Sequence, residues 1–390
     1  MQEAFIISVA RTPIGSLGGA LSSVPATRLG AIAIRAALER AGLGAEAVNE
    51  VFMGNVLTAN EGQAPANQAS IYAGIPTSVP CTTVNKVCAS GMKAIMLGAQ
   101  SIFLGDNDVV VAGGMENMSQ VPYYLDKARS GYRLGHGQVL DGVIRDGLWD
   151  PYHDFHMGKA AELCASRYHL SREAQDAYAA ESYRRAAHAY ERGYFQKELV
   201  PVEIEAKIKT IIDEDEEYGR VDLDKMLHLK PAFAKEGTIT AANASKINDG
   251  AAAVVLASAA RVAALGLKPL ARIVSFADAS QDPEWFTTTP TLAMNRALKK
   301  AGLTMEEMDY MEINEAFSCV ALANQQELHL PADRLNIWGG AVALGHPIGC
   351  SGARIIVTLT NILQTQQARY GIAGICNGGG GASALVLERL

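Results

Sequence analysis

The chain repeats itself once, and this long-range duplication restricts the fold more than any single motif does. The helix-like segment AIAIRAALERAGL, Ala31 to Leu43, matches TLAMNRALKKAGL, Thr291 to Leu303, in apolar spacing and in the closing A-G-L. SGMKAI from Ser90 matches SGARII from Ser351, the Gly113-Gly114 pair, read as a turn, matches Gly378-Gly379, and GAAAVVLAS from Gly250 matches GASALVLER from Gly381. The order is kept throughout, so two halves of like topology are expected to pack about a pseudo-twofold axis. The last match directly follows the glycine pair in the second half but lies far beyond it in the first. That gap assigns residues 1–119, completed by 246–269, to an N-terminal core half, 120–245 to an inserted domain, and 270–390 to a C-terminal core half.

Each half alternates short apolar runs, such as FIISVA, DVVVAGG and GIAGICN, with longer helical patterns, which predicts α/β layering. Strands this uniformly apolar are buried on both faces and need helices on each side. The 37 glycines and 6% aromatic residues predict close packing of small side chains. Within the insertion, His156 to Gly193 reads as a largely polar helical stretch, with Ser171 as an N-cap three residues before Ala174.

Six cysteines without a C-x-x-C pair argue against a disulfide framework and a zinc ribbon, and free thiols imply a reducing compartment. The N-terminal sequence lacks the regions of a signal peptide, so a cytoplasmic location is expected. The longest apolar run, Ala251 to Ala257, is far below the roughly 18 residues of a membrane span. A net charge of −7 disfavours nucleic-acid binding but leaves room for a local basic patch that receives an anion. The acidic run Asp213 to Glu217 is expected to be a solvated loop.

Four places suggest chemistry. Cys88 sits where a β-like entry meets a small-residue helix, whose N-terminal dipole would lower a thiol pKa; a buried structural cysteine is the ordinary alternative. His346, in GGAVALGHPIGC, lies on a glycine-rich turn that opens the matching helix of the other half, where it can face Cys88 across the pseudo-twofold. Cys376 begins CNGGGG after a buried strand, and that turn can converge backbone N–H groups into an oxyanion hole. Asn314 and Glu315 end an apolar strand, a costly place for polar groups unless a site uses them, although Asn314 also suits a strand-end cap.

Together VCASG around Cys88, NEAF around Asn314, GHPIG around His346 and CNGGG around Cys376 resemble the thiolase family over essentially the whole chain, and within it the biosynthetic-type acetyl-CoA acetyltransferases. The resemblance implies a duplicated five-layered α-β-α-β-α core with an inserted loop domain, and a homotetramer built as a dimer of dimers. It implies that Cys88 accepts an acetyl group from acetyl-CoA, His346 takes its proton, and Cys376 deprotonates a second acetyl-CoA to give acetoacetyl-CoA and coenzyme A. One oxyanion hole would use His346 and a water held by Asn314, and the other the N–H groups of Cys88 and Gly378. His156, Met157, Arg220, Lys225 and Ser245 would contact coenzyme A, with no tightly bound cofactor. Tyr183 and the carbonyls of Ala241, Ala242, Ala244 and Val342 would hold potassium. Phe286 matches relatives that tolerate a 2-methyl branch, whereas Thr287 departs from the proline expected next to it. A broader degradative 3-ketoacyl-CoA thiolase and a decarboxylating ketoacyl synthase are the rival readings.

Overall fold

A computed structural model describes residues 2–204 and 209–390. The duplicated segments become matching elements. Strands β1 (Ala4–Arg11), β2 (Glu50–Gly54), β3 (Cys81–Val84), β4 (Val109–Asn117) and β5 (Asn248–Ser258) belong to the first half. Strands β6 (Ala271–Ser280), β7 (Tyr310–Ile313), β8 (Tyr370–Asn377) and β9 (Gly381–Arg389) belong to the second. They lie in the order β7-β8-β9-β6-β1-β5-β4-β2-β3, with Gly15–Ser16 paired to β5. From the middle outward each half has two antiparallel pairings and then parallel ones. Among the described residues the two half-sheets pair at Phe5↔Arg272 and Ile6↔Ala271. A bridge between Met311 and Leu335 stands in the second half where β3 stands in the first.

The symmetry extends to single hydrogen bonds. β1 carries a bulge between Ile6 and Ser8, and β6 one between Ile273 and Ser275. Ser8 donates to Ala37 O at 2.5 Å and Ser275 to Ala297 O at 2.7 Å, and both acceptors are the seventh residue of the repeated helical segment. Those helices, Ala26–Ala41 and Thr289–Ala301, both end on a left-handed glycine, Gly42 at φ 66° and Gly302 at φ 68°.

Between the two half-sheets run the helices Ser90–Leu104 and Ile348–Gln366, which touch strands of both. A Cβ on Gly91 would lie 2.7 Å from Ala353 N, and one on Gly352 would lie 2.5 Å from Met92 N, so each glycine admits the backbone of the other helix. Every residue from Ile348 to Leu363 is buried. By composition the 18 residues Val87–Leu104, of mean hydropathy 1.4, would pass for a membrane span, but this helix packs inside the core between the sheets. With Ala26–Ala41 outside one half-sheet and Thr289–Ala301 outside the other, the layers are α-β-α-β-α.

Residues 118–247 leave the core at β4 and return at β5, its neighbour in the sheet. They contain the helices Met157–Arg167 and Arg172–Glu191, and Ser171 Oγ caps the second by accepting from Ala174 N–H at 3.2 Å. Two expectations are corrected. Gly113-Gly114 is not a turn but the middle of β4: a Cβ there would meet Ala252 O at 2.1 Å and Gly349 O at 2.0 Å, so close approach, not reversal, requires the glycines. The sheet registers pair Gly113 with Gly374 as true counterparts. Nor is the acidic run simply solvated. Asp215 is buried against Arg11 at 2.7 Å, and Glu216 accepts from the N–H groups of Ser16 at 2.8 Å and Ala20 at 3.0 Å. A lone buried arginine in β1 would be costly, and Asp215 with Glu198, 2.5 Å from Arg11 on its other side, neutralises it.

Candidate active site

Cys88 lies on a strained turn between β3 and the helix that begins at Ser90. Val87, a β-branched residue, adopts φ 47°, which costs about 1–3 kcal/mol. Neighbouring groups hold that conformation: Val87 N–H donates to Asn85 Oδ1 at 3.0 Å, and Ser90 Oγ accepts from Lys86 N–H at 2.8 Å and donates to Val87 O at 2.6 Å. The thiol is buried, and its sulfur is faced by the N–H groups of Gly378 and of Cys88 itself. Burial outweighs both and pushes the thiol up to about 12, opposite to the expectation from the helix dipole, because removing the thiolate from water costs more than two N–H groups return.

His346 follows Gly345, whose φ of 110° and close approach to Asn248 require glycine, and His346 N–H donates to Asn248 Oδ1 at 2.9 Å. Its Nδ1 is 2.6 Å from Ser351 Oγ, and the Ser351 hydroxyl donates to Pro347 O at 2.8 Å. Ser351 has one proton to give, so Nδ1–H donates to Oγ and Nε2 keeps its lone pair. Burial, with Arg354 adding to it, lowers His346 to about 3, so the ring is neutral. A neutral imidazole with a free lone pair is suited to accept a thiol proton.

Cys376 is the penultimate residue of β8 and fully buried, and burial together with Cys88 pushes its thiol upward. The turn after it uses Gly379 at φ 81° and Gly380 at φ 82°, and presents Gly378 N–H to Cys88. Asn314 follows β7, with Nδ2 at 3.5 Å from each ring nitrogen of His346. Its Oδ1 is buried without a protein partner, which costs about 1–3 kcal/mol unless a ligand or water pairs with it. Glu315, noted only as a polar strand end, accepts from Tyr178, Ser182, Asn336 and the Val342 N–H. It therefore ties this strand end to the insertion and to the segment leading to His346.

Cys88, His346, Gly378, His156, Met157 and Ser245 line one cavity of 550 Å³, within the usual range for small-molecule sites. Asn314 and Cys376 lie behind that lining, Asn314 against His346. His156 caps the Met157–Arg167 helix by accepting at Nδ1 from Gly158 N–H at 3.0 Å, and its ring stacks on Phe233 at 4.8 Å. Ser245 is turned to the NEAF loop, donating from Oγ to Ala316 O at 2.8 Å. Arg220 lines the cavity while bonded to Glu216 and to Ser16 Oγ at 2.9 Å. Lys225 does not line it: the side chain is exposed and pairs with Asp222 at 2.8 Å. Phe286 lines the cavity, and Thr287 is buried beside it.

Tyr183, Ala241, Ala242, Ala244 and Val342 do converge near the cavity, yet Lys246 stands among them. Its Nζ donates to the Tyr183 hydroxyl, to Val342 O at 2.8 Å and to Ala244 O at 3.3 Å. Sequence reasoning passed over Lys246, Ser351 and Phe233. Ser351 had a signal, as the serine of the repeated S-G pair; Phe233 had none, because only folding brings it to His156.

Comparisons with known proteins give the family. Residues 4–260 match the thiolase N-terminal domain and 267–389 the thiolase C-terminal domain. Acetyl-CoA acetyltransferase 1 of Arabidopsis thaliana is 58% identical over 99% of this chain and 94% of its own, and the mitochondrial acetyl-CoA acetyltransferase of Bos taurus is 53% identical over 100% and 92%. Acat5 thiolase from Ascaris suum, solved in complex with coenzyme A, superposes with a TM-score of 0.96 at 47% identity, covering 100% of both chains. Two domain matches that meet near the seam between the half-sheets, and relatives similar over their full length, make this chain a member of the thiolase family.

Proposed function

We propose that this chain is an acetyl-CoA C-acetyltransferase, joining two acetyl-CoA into acetoacetyl-CoA and coenzyme A, reversibly, through an acetyl group on Cys88. The observation that carries the reading is the convergence of Cys88, His346 and the Gly378 N–H on one cavity, backed by the orphan Oδ1 of Asn314. The Cys88 sulfur attacks the acetyl carbonyl carbon as its proton passes to His346 Nε2, while the N–H groups of Cys88 and Gly378 bind the developing oxyanion. Cys376 gives its proton to the departing coenzyme A sulfur. Its thiolate, balanced by the His346 imidazolium, then removes a methyl proton from a second acetyl-CoA. His346, with a water on Asn314, stabilises that enolate. The carbanion attacks acetyl-Cys88, and the released Cys88 sulfur takes its proton back from His346. Neither thiol is pre-ionised, because burial pushes both upward, so proton transfer accompanies attack.

His156, Met157, Arg220 and Ser245 are assigned to coenzyme A, with Lys225 at the outer, nucleotide end. We also propose a homotetramer, supported by the exposed apolar side chains Tyr123, Leu125, Leu134 and Val139 on one segment of the insertion. For location we propose the cytoplasm, on the free cysteines; cell fractionation decides between it and the mitochondrial matrix, which is also reducing. The activity test is condensation and thiolysis with acetyl-CoA, acetoacetyl-CoA, 2-methylacetoacetyl-CoA and longer 3-ketoacyl-CoA esters, with light scattering for assembly. Preference for acetoacetyl-CoA is expected. Preference for long chains would replace the reading with that of a degradative thiolase.

A further inference from the structure

Lys246 directly follows TAANAS and reaches back over it. Its ammonium donates to one hydroxyl and two carbonyls, those of Tyr183, Val342 and Ala244, and lies 4.8 Å from the centroid of the Tyr183 ring. The Tyr183 hydroxyl in turn donates to Ala242 O at 3.5 Å. Three of the five oxygen donors assigned to potassium by resemblance are therefore spent on a lysine, and a fourth accepts from the tyrosine. A bare monovalent cation would need the same lone pairs and would sit against a fixed positive charge in a partly desolvated site, where like charges repel strongly. Glu217 and Glu315 supply negative charge on the protein side, and Val342 N–H is itself bonded to Glu315 at 3.0 Å. The donor set does not fit an additional potassium ion.

We propose that the Lys246 ammonium replaces potassium in this chain, as a covalently tethered monovalent cation that fastens three segments beside the cavity. Tyr183 brings the Arg172–Glu191 helix. Ala244 brings the residue before Ser245, and Val342 the segment that ends at His346 four residues later. A tethered charge needs no free ion, so order at this junction is independent of the salt present. Where coenzyme A binding is the readout, the inference rests on the site proposed above; where thermal unfolding is the readout, it does not.

The test compares wild type, Lys246→Ser and Lys246→Met in potassium and in sodium chloride at matched ionic strength, by thermal unfolding and by calorimetric titration with coenzyme A. Wild type is expected to behave identically in the two salts. Lys246→Ser, which opens a space lined by the same oxygens, should lose about 2–4 °C in sodium and recover it in potassium. Its coenzyme A affinity should fall about tenfold in sodium, the scale of one charge-assisted hydrogen bond, and return in potassium. Lys246→Met fills that space without charge and should stay impaired in both salts. A potassium-specific gain in the wild type overturns the proposal, as does a Lys246→Ser protein that potassium does not rescue. If Lys246→Ser cannot be folded, the wild-type comparison still decides. Absence of coenzyme A binding to wild type in either salt would count against the site reading and leave the unfolding comparison intact.

Discussion

The two central helices enter the molecule at equivalent places, but where the first has Cys88 the second has a glycine, its own buried thiol, Cys350, standing one residue further on. Counting from the repeated S-G pair, Cys88 corresponds to Gly349 and His346 to Asn85. Counting from the strand registers, Cys376 corresponds to Met115 and Asn314 to Gly54. Even the paired serines differ: Ser90 accepts from a main-chain N–H, whereas Ser351 accepts from the His346 ring. Duplication thus supplied a symmetric frame, and the chemistry occupies one side of each equivalent pair. The counterpart site is filled by the frame itself, since Glu116 accepts from Gly349 N–H at 2.9 Å and Gly114 admits the Gly349 carbonyl.

The comparison breaks most severely when an active residue is exchanged for its inert counterpart. Cys88→Gly should lose both self-acetylation and condensation by about 10⁴-fold or more. Cys376→Ala should still acetylate Cys88, more slowly for want of the thiol that protonates the departing coenzyme A sulfur, and condense about 10²- to 10⁴-fold more slowly, because the carbon-acid step loses its base. Intact-mass detection of acetyl-enzyme, paired with an acetoacetyl-CoA assay, separates the two. Near-parent condensation by Cys376→Ala would assign the base elsewhere.

Gly91→Ala and Gly352→Ala test whether the frame is as symmetric as the site is not. Each puts a Cβ against the backbone nitrogen of the opposing helix, at 2.7 Å and 2.5 Å. Neither neighbour can yield as a side-chain tip could, so each should cost about 1–3 kcal/mol. Denaturant midpoints of similar loss are expected; a large loss in one variant alone would show that the contact is not mutual.

A slower readout concerns Cys88 itself. With the thiol pushed up to about 12, iodoacetamide labelling of Cys88 should keep rising with pH through 9 to 10, where an activated thiolate would already have levelled off. Peptide mapping against pH gives the profile.

The effect confined to acid pH is on stability. His346 is held down at about 3, below its ordinary 6.5, so unfolding takes up a proton between those values and stability falls as pH drops through that window. His346→Asn, which copies Asn85, removes that contribution of at most about 1.4 kcal/mol per pH unit. Its acid-unfolding midpoint by circular dichroism should move to lower pH; an unchanged midpoint would mean the ring is not kept neutral by burial.

Much of this frame was legible because duplication prints the same constraint twice. The A-G-L endings became two left-handed glycine caps, and the S-G pairs became the crossing of the central helices. Gly113-Gly114 was misread because glycine is needed both for turns and for close approach, and only the three-dimensional neighbour, Gly349 O, tells which. The site was legible at Cys88, His346, Asn314 and Cys376, where unusual residues sit in small-residue surroundings. It was illegible at Lys246 and Glu315, whose partners Tyr183, Val342, Tyr178 and Ser182 lie tens to more than a hundred residues away: a lysine among serines and asparagines reads as surface until the fold brings Val342 to it.

The Ile348–Gln366 helix has one further consequence. Over 16 consecutive buried positions, Ile348 to Leu363, it offers water no face, and only its last turn is open. It also leaves the ribosome long after β1 to β5. Until it arrives, the Cys88 helix lacks the helix it crosses and alone covers the inner face of the first half-sheet, so the first half emerges as an open, adhesive intermediate. Synthesis of this chain should therefore depend on chaperones that shield the nascent first half, and fragments ending before Ile348 should be recovered as aggregates.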